Sequence, residues 1–259
     1  MCLLAIQYQL VPGAPVLVAA NREEFYERPT QPPTIQSGKP RVLCGIDAQA
    51  GGTWLGVNQH GLFAAACNRR RSVPSYPSRS RGVLCRDLLK ADSARQACDM
   101  AMEELASGRY DGVNYVCADR DSGWVVCSGD ELEAIELREG LSILGGTGVN
   151  DVHDPRAELA RRLLTLQTLD SPVKFLAVAS KVFARPPAAP GRPTIVTRDA
   201  DRGTVSSTLL SLGIKPRDAI YQYAPGPPDQ TKYEDYSPLL RDILSRGLRE
   251  AKTKARSSR

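Results

Sequence analysis

The stretch that decides the fold is MCLLAIQYQLVPGAPVLVAANREEF, residues 1–25. Two short apolar runs, residues 2–10 and 16–21, flank a Pro-Gly turn and predict a β-hairpin. The polar group that begins at Asn21 follows the second run directly. We therefore expect this group at the edge of the sheet, beside the strand that starts at Cys2.

Cys2 is the residue of the hairpin that is best suited to act as a nucleophile. Once Met1 is removed, Cys2 carries a thiol with a pKa of about 8.5 and a free α-amine with a pKa of about 7.7–8.0. The amine can take the proton of the thiol, so one residue can supply both nucleophile and base. The alternative is a small core residue at the start of an apolar strand.

The rest of the chain continues as strands in hairpins and helices in pairs. No β-α-β alternation is visible, so the sheets should be mainly antiparallel. We predict an α+β fold, a four-layer αββα sandwich, with a single domain over residues 1–248 and a basic, disordered tail over 249–259. Predicted strands after the hairpin are 42–47, 53–58, 62–67, 113–118, 124–128, 132–137, 141–148, 194–198, 204–212 and 219–223. Predicted helices are 83–91, 93–106, 154–169, 171–183 and 236–250.

Composition excludes several classes of protein. Hydrophobic residues at 42% and charged residues at 24% are ordinary for a soluble globular chain. No run of eighteen apolar residues predicts a membrane span, and no basic region precedes the N-terminal apolar stretch, so we expect a cytoplasmic protein. Seven cysteines without a C-x-x-C motif indicate reduced thiols, and two histidines without a partner predict no metal site.

The net charge of +5 comes from two basic segments, residues 68–82 and 249–259. Tyr76 is the single aromatic residue in these two segments, which is too little for a stacking surface, so we expect no nucleic-acid binding. The arginines Arg69, Arg70 and Arg71 can bind a phosphate or an acidic substrate group. A solvated loop is the competing interpretation.

Three further polar residues lie at predicted strand ends. Asp47 precedes the paired glycines Gly51 and Gly52 and can accept hydrogen bonds from backbone amides there. Asn68 and Asn150 each end an apolar run. Asparagine is a common turn residue, but its neutral N–H₂ group also suits an oxyanion hole.

These pieces together resemble the NRDE family, which contains transport and Golgi organisation protein 2. The resemblance rests on MCLL at the start, NREEFYERPT (21–30), GIDAQAGGTWLG (45–56), the strand 61–68, DGVNYVCAD (111–119) and GTVSST (203–208). It extends from residue 1 to about residue 228. The family is similar to N-terminal nucleophile hydrolases of αββα fold, notably choloylglycine hydrolases and penicillin V acylases.

The resemblance implies roles for individual residues. Cys2 would be the nucleophile, Arg22 would orient it, and Asn150 would complete an oxyanion hole with a backbone amide. Asn68 is a second candidate for that hole. Glu23 and Asp47 would help to bind the substrate.

Two positions depart from the family pattern. Glu23 stands where the family usually has aspartate, which lengthens the side chain by one methylene. Val205 stands where the family has an arginine. Its loss would mean a different substrate, compensation by a neighbouring loop arginine, or no hydrolysis.

Three functions follow as hypotheses. The first is an amidohydrolase or acyltransferase that uses Cys2 through a thioester and acts on a small amide or acyl substrate without a cofactor. The second is a non-catalytic carrier of haem or acyl lipid, with His60, His153 and Cys2 as candidate axial ligands. The third is an interaction protein that uses the loop Arg69–Arg81. The sequence predicts no oligomeric state.

Overall fold

Two antiparallel sheets stack face to face in the computed structural model, which describes residues 2–72, 76–187, 189 and 191–257. The first sheet has the strand order β10-β1-β2-β11-β12-β13. Its strands are β1 (Leu3–Val11), β2 (Ala14–Phe25), β10 (Gly140–Leu144), β11 (Arg202–Leu212), β12 (Ile220–Ala224) and β13 (Glu234–Asp235). The second sheet follows chain order, with β3 (Thr30–Gln36), β4 (Val42–Asp47), β5 (Leu55–Asn58), β6 (Phe63–Asn68), β7 (Val113–Ala118), β8 (Gly123–Ser128) and β9 (Leu132–Glu136).

Helices cover the outer face of each sheet, which confirms the predicted αββα sandwich. Helices α1 (Arg81–Leu88) and α2 (Ala94–Ala106) pack on the second sheet, and α3 (Pro155–Leu164) and α4 (Pro172–Phe183) pack on the first. Helix α5 (Ser237–Ser257) contacts β12 and the strands β3 to β5. Within the described ranges, no helix has both the length and the apolar character needed to cross a membrane.

Side-chain caps explain where three of the helices begin. The Oγ atom of Ser93 accepts a hydrogen bond from the backbone N–H of Gln96, as the capping-box pattern predicts. Asp154 accepts from the backbone of Arg156 at 3.0 Å, with Pro155 in the first turn. Ser171 caps α4 in the same way. The predicted helix starts are confirmed.

The alternation of β1 determines where Cys2 points. Leu4 and Ile6 face the core between the two sheets, whereas Leu3 and Ala5 face the helices α3 and α4. Cys2 precedes β1 in the same alternation as Leu4, and it packs against the core between the sheets. The first residue of the predicted hairpin therefore lies in the interior of the sandwich.

The polar group Asn21–Glu24 lies inside a strand, which corrects the prediction that it follows the strand at the sheet edge. Strand β2 continues to Phe25 because β11 pairs with it along this part, with Ser206 opposite Arg22. Arg22 and Glu23 are only 6% and 8% exposed. The register shifts between Thr204 and Ser206, so Val205 lies in a bulge of β11.

Other differences concern the ends of elements. The helix α5 runs to Ser257, so residues 249–257 are helical rather than the disordered tail that we predicted. This segment is rich in good helix formers, and Glu250 ties it to Arg41 and Gln59. Strands β3 and β13 were not predicted, and residues 194–198 form only an isolated bridge at Arg198.

Candidate active site

A cavity of about 850 Å³ opens beside Cys2. Its walls come from β2, from the segment after β4, from the end of β6 and from residues 77–82, which lead into the first turn of α1. Five of the six residues predicted for the site line it: Cys2, Arg22, Glu23, Asp47 and Asn68. The structure therefore brings together residues that are up to 66 positions apart in the sequence.

The Cys2 thiol lies against Cys67, which comes from β6 of the opposite sheet. The Cys67 S–H donates a hydrogen bond to the sulfur of Cys2, and this bond lowers the pKa of Cys2 to about 5 although burial acts to raise it. The backbone N–H of Glu23 and the charge of Arg22 favour the thiolate further. The pKa of Cys67 is raised in turn, because it holds the shared proton.

Cys2 differs from the other cysteines in its lowered pKa and in its exposure. Burial is the largest cause of a raised pKa in the remaining five thiols, Cys44, Cys85, Cys98, Cys117 and Cys127. Cys2 is also half-buried, while the other six are buried. A thiol that is ionised at neutral pH and open to a cavity is a nucleophile. Cys2, the predicted nucleophile, is thus the cysteine whose surroundings favour the thiolate.

Arg22 is held by three contacts. Its guanidinium lies over the ring of Trp54 at 4.4 Å, its Nη1 donates to Oγ1 of Thr30 at 3.1 Å, and it pairs with Glu24 at 3.6 Å. A side chain at Gly45 would collide with the Trp54 ring, which explains the glycine at that position. Arg22 therefore presents a fixed positive charge beside Cys2.

Glu23 pairs with an arginine that the sequence analysis missed. Arg156 donates from Nη2 to Oε1 of Glu23 at 2.5 Å and to the carbonyl oxygen of Ile195 at 2.7 Å. Burial raises the pKa of Glu23 to about 7, and the Arg156 guanidinium opposes that rise. Arg156 comes from the first turn of α3 rather than from a loop, and it supplies a guanidinium near Cys2 where Val205 does not.

Removal of Arg156 is expected to destabilise the fold. The variant Arg156→Met leaves the buried carboxylate of Glu23 without its cation, which should lower the free energy of unfolding by about 3–5 kcal/mol. The loss should be smaller at pH 5 than at pH 8, because Glu23 takes up a proton below its raised pKa. Urea unfolding at both pH values measures the loss of unfolding free energy. The double variant Arg156→Met with Glu23→Gln should recover part of that loss. Arg162→Met, at an exposed position of the same helix, is the control; an equal loss there would refute the buried pair as the cause.

Asp47 has mainly a structural part in the cavity wall. It pairs with Arg28 at 2.7 Å, and its Oδ1 accepts hydrogen bonds from the backbone N–H groups of Gln49 and Ala50. Burial acts to raise the pKa of Asp47, but Arg28 and these amides hold it below its ordinary value. Asp47 thus shapes the segment before Trp54.

Asn150 does not lie at the Cys2 cavity. It borders a different cavity with Ser142 and Val149, and its φ of 56° places it in the left-handed region of a turn. Its Oδ1 accepts from the backbone of Ile143 and from Arg161, and its Nδ2 donates to Ser142. Both ends of its amide are engaged there, so this geometry offers no oxyanion donor to Cys2.

Comparison with known proteins identifies the family of the chain. The family model for Transport and Golgi organisation 2 matches residues 1–171. The chain belongs to the Transport and Golgi organisation 2 family. It is 31% identical to the transport and Golgi organization protein 2 homolog of Bos taurus over 137 residues, and 30% identical to that of Homo sapiens over 138 residues. Each match covers 49% of this chain and 49% of the relative, so the chain spans about half the length of the curated relatives it matches.

Two solved structures share the fold of this member of the family. An N-acylethanolamine-hydrolyzing acid amidase ortholog of Caenorhabditis elegans superposes with a TM-score of 0.53 at 13% identity, covering 81% of this chain and 92% of that chain. Penicillin V acylase of Agrobacterium tumefaciens gives a TM-score of 0.51 at 12% identity, covering 92% and 86%. The likeness confirms the N-terminal nucleophile hydrolase fold.

The basic loop of this family member also lines the cavity. Arg69, Arg79 and Arg81 border it, and residues 73–75 lie outside the described part of the chain. Arg79 pairs with Glu104 at 2.7 Å, and Arg81 donates to the carbonyl oxygen of Gly112. The loop is thus a wall of the site as well as a solvated segment.

The two histidines lie away from the cavity. His60 occupies a turn near Asp92, and His153 is exposed before α3. Among the described residues, no group of three His, Cys, Asp or Glu side chains could hold a metal ion. The cavity itself is lined by the Cys2 thiol, by arginines and by carboxylates such as Glu24 and Asp47.

Proposed function

We propose that this protein is an N-terminal nucleophile hydrolase or acyltransferase that attacks an amide or a related acyl carbon with Cys2. The observation that carries the proposal is the half-buried thiol of Cys2, whose pKa is lowered to about 5, at a cavity of about 850 Å³. The fold shared with an amidase and an acylase supports the same reaction class. A small molecule with an amide or acyl group is the proposed substrate.

The reaction begins with a bond between the Cys2 sulfur and the acyl carbon. The carbonyl electron pair moves to oxygen, and the tetrahedral intermediate then expels the leaving amine, which takes a proton from the α-ammonium group of Cys2. A thioester remains. Water or an acceptor amine attacks it, gives a proton back to the α-amine and releases the Cys2 thiolate. The fixed charge of Arg22 stabilises the thiolate at the start and the end of this cycle.

This mechanism requires that Cys2 becomes the first residue of the mature protein. The α-amine exists as a free group only after Met1 is removed. Intact mass of the purified protein measures that removal. In a mature chain that retains Met1, Cys2 would have no free α-amine to act as the base, and that result would contradict this mechanism.

The acyl-enzyme itself is the direct test of the function. Incubation with p-nitrophenyl acetate should release one p-nitrophenol in a burst and place one acetyl group on Cys2, seen by peptide mapping. A panel of amides with different acyl groups then identifies the class that is turned over. Acetylation spread evenly over the seven cysteines would contradict an activated Cys2.

Cys67 is expected to control the reactivity of Cys2. Because its S–H lowers the pKa of Cys2 to about 5, the iodoacetamide alkylation rate of Cys2 should reach half its maximum near pH 5. In Cys67→Ala that midpoint should move up toward the ordinary cysteine value of about 8.5. Cys117→Ala, whose side chain faces the helices α1 and α2, is the control. An unchanged midpoint in Cys67→Ala would exclude the thiol pair as the cause.

A haem carrier is the second candidate, because the cavity combines a thiolate with several arginines. Cys2 is the one of the three predicted axial ligands that faces this cavity, and arginines such as Arg69 and Arg202 could pair with haem propionates. A haem titration followed in the Soret region tests this. Equal spectra for the wild type and for Cys2→Ala would remove thiolate ligation from consideration.

A further inference from the structure

Two thiols from opposite sheets meet beside the cavity, and the proposed reaction attacks with only one of them. Cys2 precedes β1 of the first sheet, and Cys67 lies near the end of β6 in the second sheet. Cys2 packs against the core group that contains Cys67, and both residues line one small space of about 10 Å³. The S–H group of Cys67 bonds to the sulfur of Cys2. The two sulfurs are therefore placed to react with each other.

The two thiols differ in how a solute can reach them. Cys2 is half-buried and borders the cavity of about 850 Å³, whereas Cys67 is only 1% exposed and does not line that cavity. Oxidants attack thiolates that solvent can reach. The bond from Cys67 lowers the pKa of Cys2 to about 5, so Cys2 is a thiolate at neutral pH. A small oxidant thus meets Cys2 first, with Cys67 directly behind it.

The remaining cysteines are too distant to take the place of Cys67. Cys127 faces the same core, but β7 separates it from Cys67, because Asn114 of β7 lies opposite both residues. Two strand spacings are about 9–10 Å. A disulfide needs Cα atoms within about 7 Å of each other. The other four cysteines pack with α1 and α2 on the opposite face of the sheet: Cys44, Cys85, Cys98 and Cys117.

We propose that Cys2 is a peroxide-oxidised site, and that Cys67 captures the oxidised sulfur as a disulfide that shields Cys2 from irreversible oxidation. In the first step the Cys2 thiolate attacks one oxygen of hydrogen peroxide. The O–O bond breaks, hydroxide leaves, and Cys2 becomes a sulfenic acid. In the second step the Cys67 sulfur attacks the Cys2 sulfur, the S–O bond breaks, and the leaving hydroxide takes the Cys67 proton as water. The two sulfurs supply the two electrons that peroxide gains.

The surroundings of the pair permit the second step. The largest cause of the raised pKa of Cys67 is its bond to Cys2, and the negative charge of Cys2 adds to it. Both effects end once Cys2 is a neutral sulfenic acid, so Cys67 gives up its proton more easily. Cys2 also lies before Leu3, the first paired residue of β1, so its backbone can shift to bring the sulfurs together. Neither step uses an α-amine or an amide substrate, so this site does not depend on the proposed function.

Oxidation of the purified chain with hydrogen peroxide tests the proposal directly. Intact mass should show a loss of about 2 Da, and peptide mapping without reductant should find Cys2 joined to Cys67. Cys2 should then react with neither iodoacetamide nor p-nitrophenyl acetate. Dithiothreitol should restore the original mass and full alkylation of Cys2.

The variant Cys67→Ala removes the thiol that captures the oxidised sulfur. The comparison is made at about pH 9, because the pKa of Cys2 should return toward about 8.5 without Cys67, and both proteins then carry a thiolate. With excess peroxide, Cys2 of this variant should gain about 32 Da as a sulfinic acid, and dithiothreitol should no longer restore alkylation. Cys127→Ala, on the same face of the same sheet, is the matched control and should form the disulfide like the wild type. Thermal unfolding verifies that both variants are folded.

The outcomes separate this site from the proposed function. A wild-type Cys2 that peroxide leaves unchanged, or converts to the sulfinic acid without a disulfide, would overturn the proposal. A disulfide from Cys2 to another cysteine, or equal recovery of the wild type and Cys67→Ala with dithiothreitol, would overturn it as well. If the disulfide forms but Cys2 transfers no acyl group, the proposed function fails and the oxidation site stands.

Discussion

Cys2→Ala is expected to lower the turnover of p-nitrophenyl acetate, and of any amide substrate found, by at least about 10⁴-fold. Loss of a covalent nucleophile has effects of this size because no other group can form the intermediate. Cys2 is the thiol whose pKa lies well below its ordinary value and which borders the cavity. Burst kinetics and mapping of the acetylated peptide measure the loss.

Cys98→Ala is the matched control for this experiment. Cys98 is buried in α2 and does not line the cavity, and its pKa is raised rather than lowered. We expect its variant to keep full activity. Residual turnover in Cys2→Ala equal to that of Cys98→Ala would show that the reaction does not pass through Cys2.

Insertion of one alanine between Met1 and Cys2 should have the second largest effect. After removal of methionine the chain would begin with alanine, so Cys2 would keep its thiol but lose its free α-amine. Loss of a general base costs about 10²–10⁴-fold. Alkylation of Cys2 by iodoacetamide should fall much less, because Cys67 still lowers the pKa of the thiol.

A removable leader provides the control for the insertion. Expression with a leader that a protease cleaves directly before Cys2 yields a chain with a free cysteine amine. Acyl transfer should return to the wild-type rate in that preparation. Wild-type rates in the chain with the inserted alanine would exclude the α-amine as the base.

Local signals in the sequence were sufficient for most of the fold. Ser93, Asp154 and Ser171 begin their helices as caps, because a cap depends on residues only two or three positions away. The strand β3 was missed because Pro32 and Pro33 argue against a strand. It lies at the edge of its sheet, where the missing N–H donors of proline are tolerated, and its register shifts at these residues.

Long-range pairing decided what the sequence could not predict. The polar group of β2 is buried because β11 pairs with it from about 180 positions away, with Thr204 opposite Glu23. Contacts between distant parts of the sequence also determine the site. Cys2 and Arg22 lie in one hairpin and were predicted, whereas Cys67 and Arg156 reach it from other elements.

Asn150 shows the limit of transfer by resemblance. Asn150 ends an apolar run, as the family pattern suggested, but it forms a turn away from Cys2.

Cys2 directly precedes β1, and Arg22 and Glu23 lie within β2, which pairs with β1 and β11. The segments 48–54 and 77–82, by contrast, form much of the entrance to the cavity. Connecting segments accept sequence change more readily than paired strands do. We therefore expect that exchange of these two segments redirects the choice of acyl group and leaves the nucleophile intact, which makes the entrance the part of this protein to engineer.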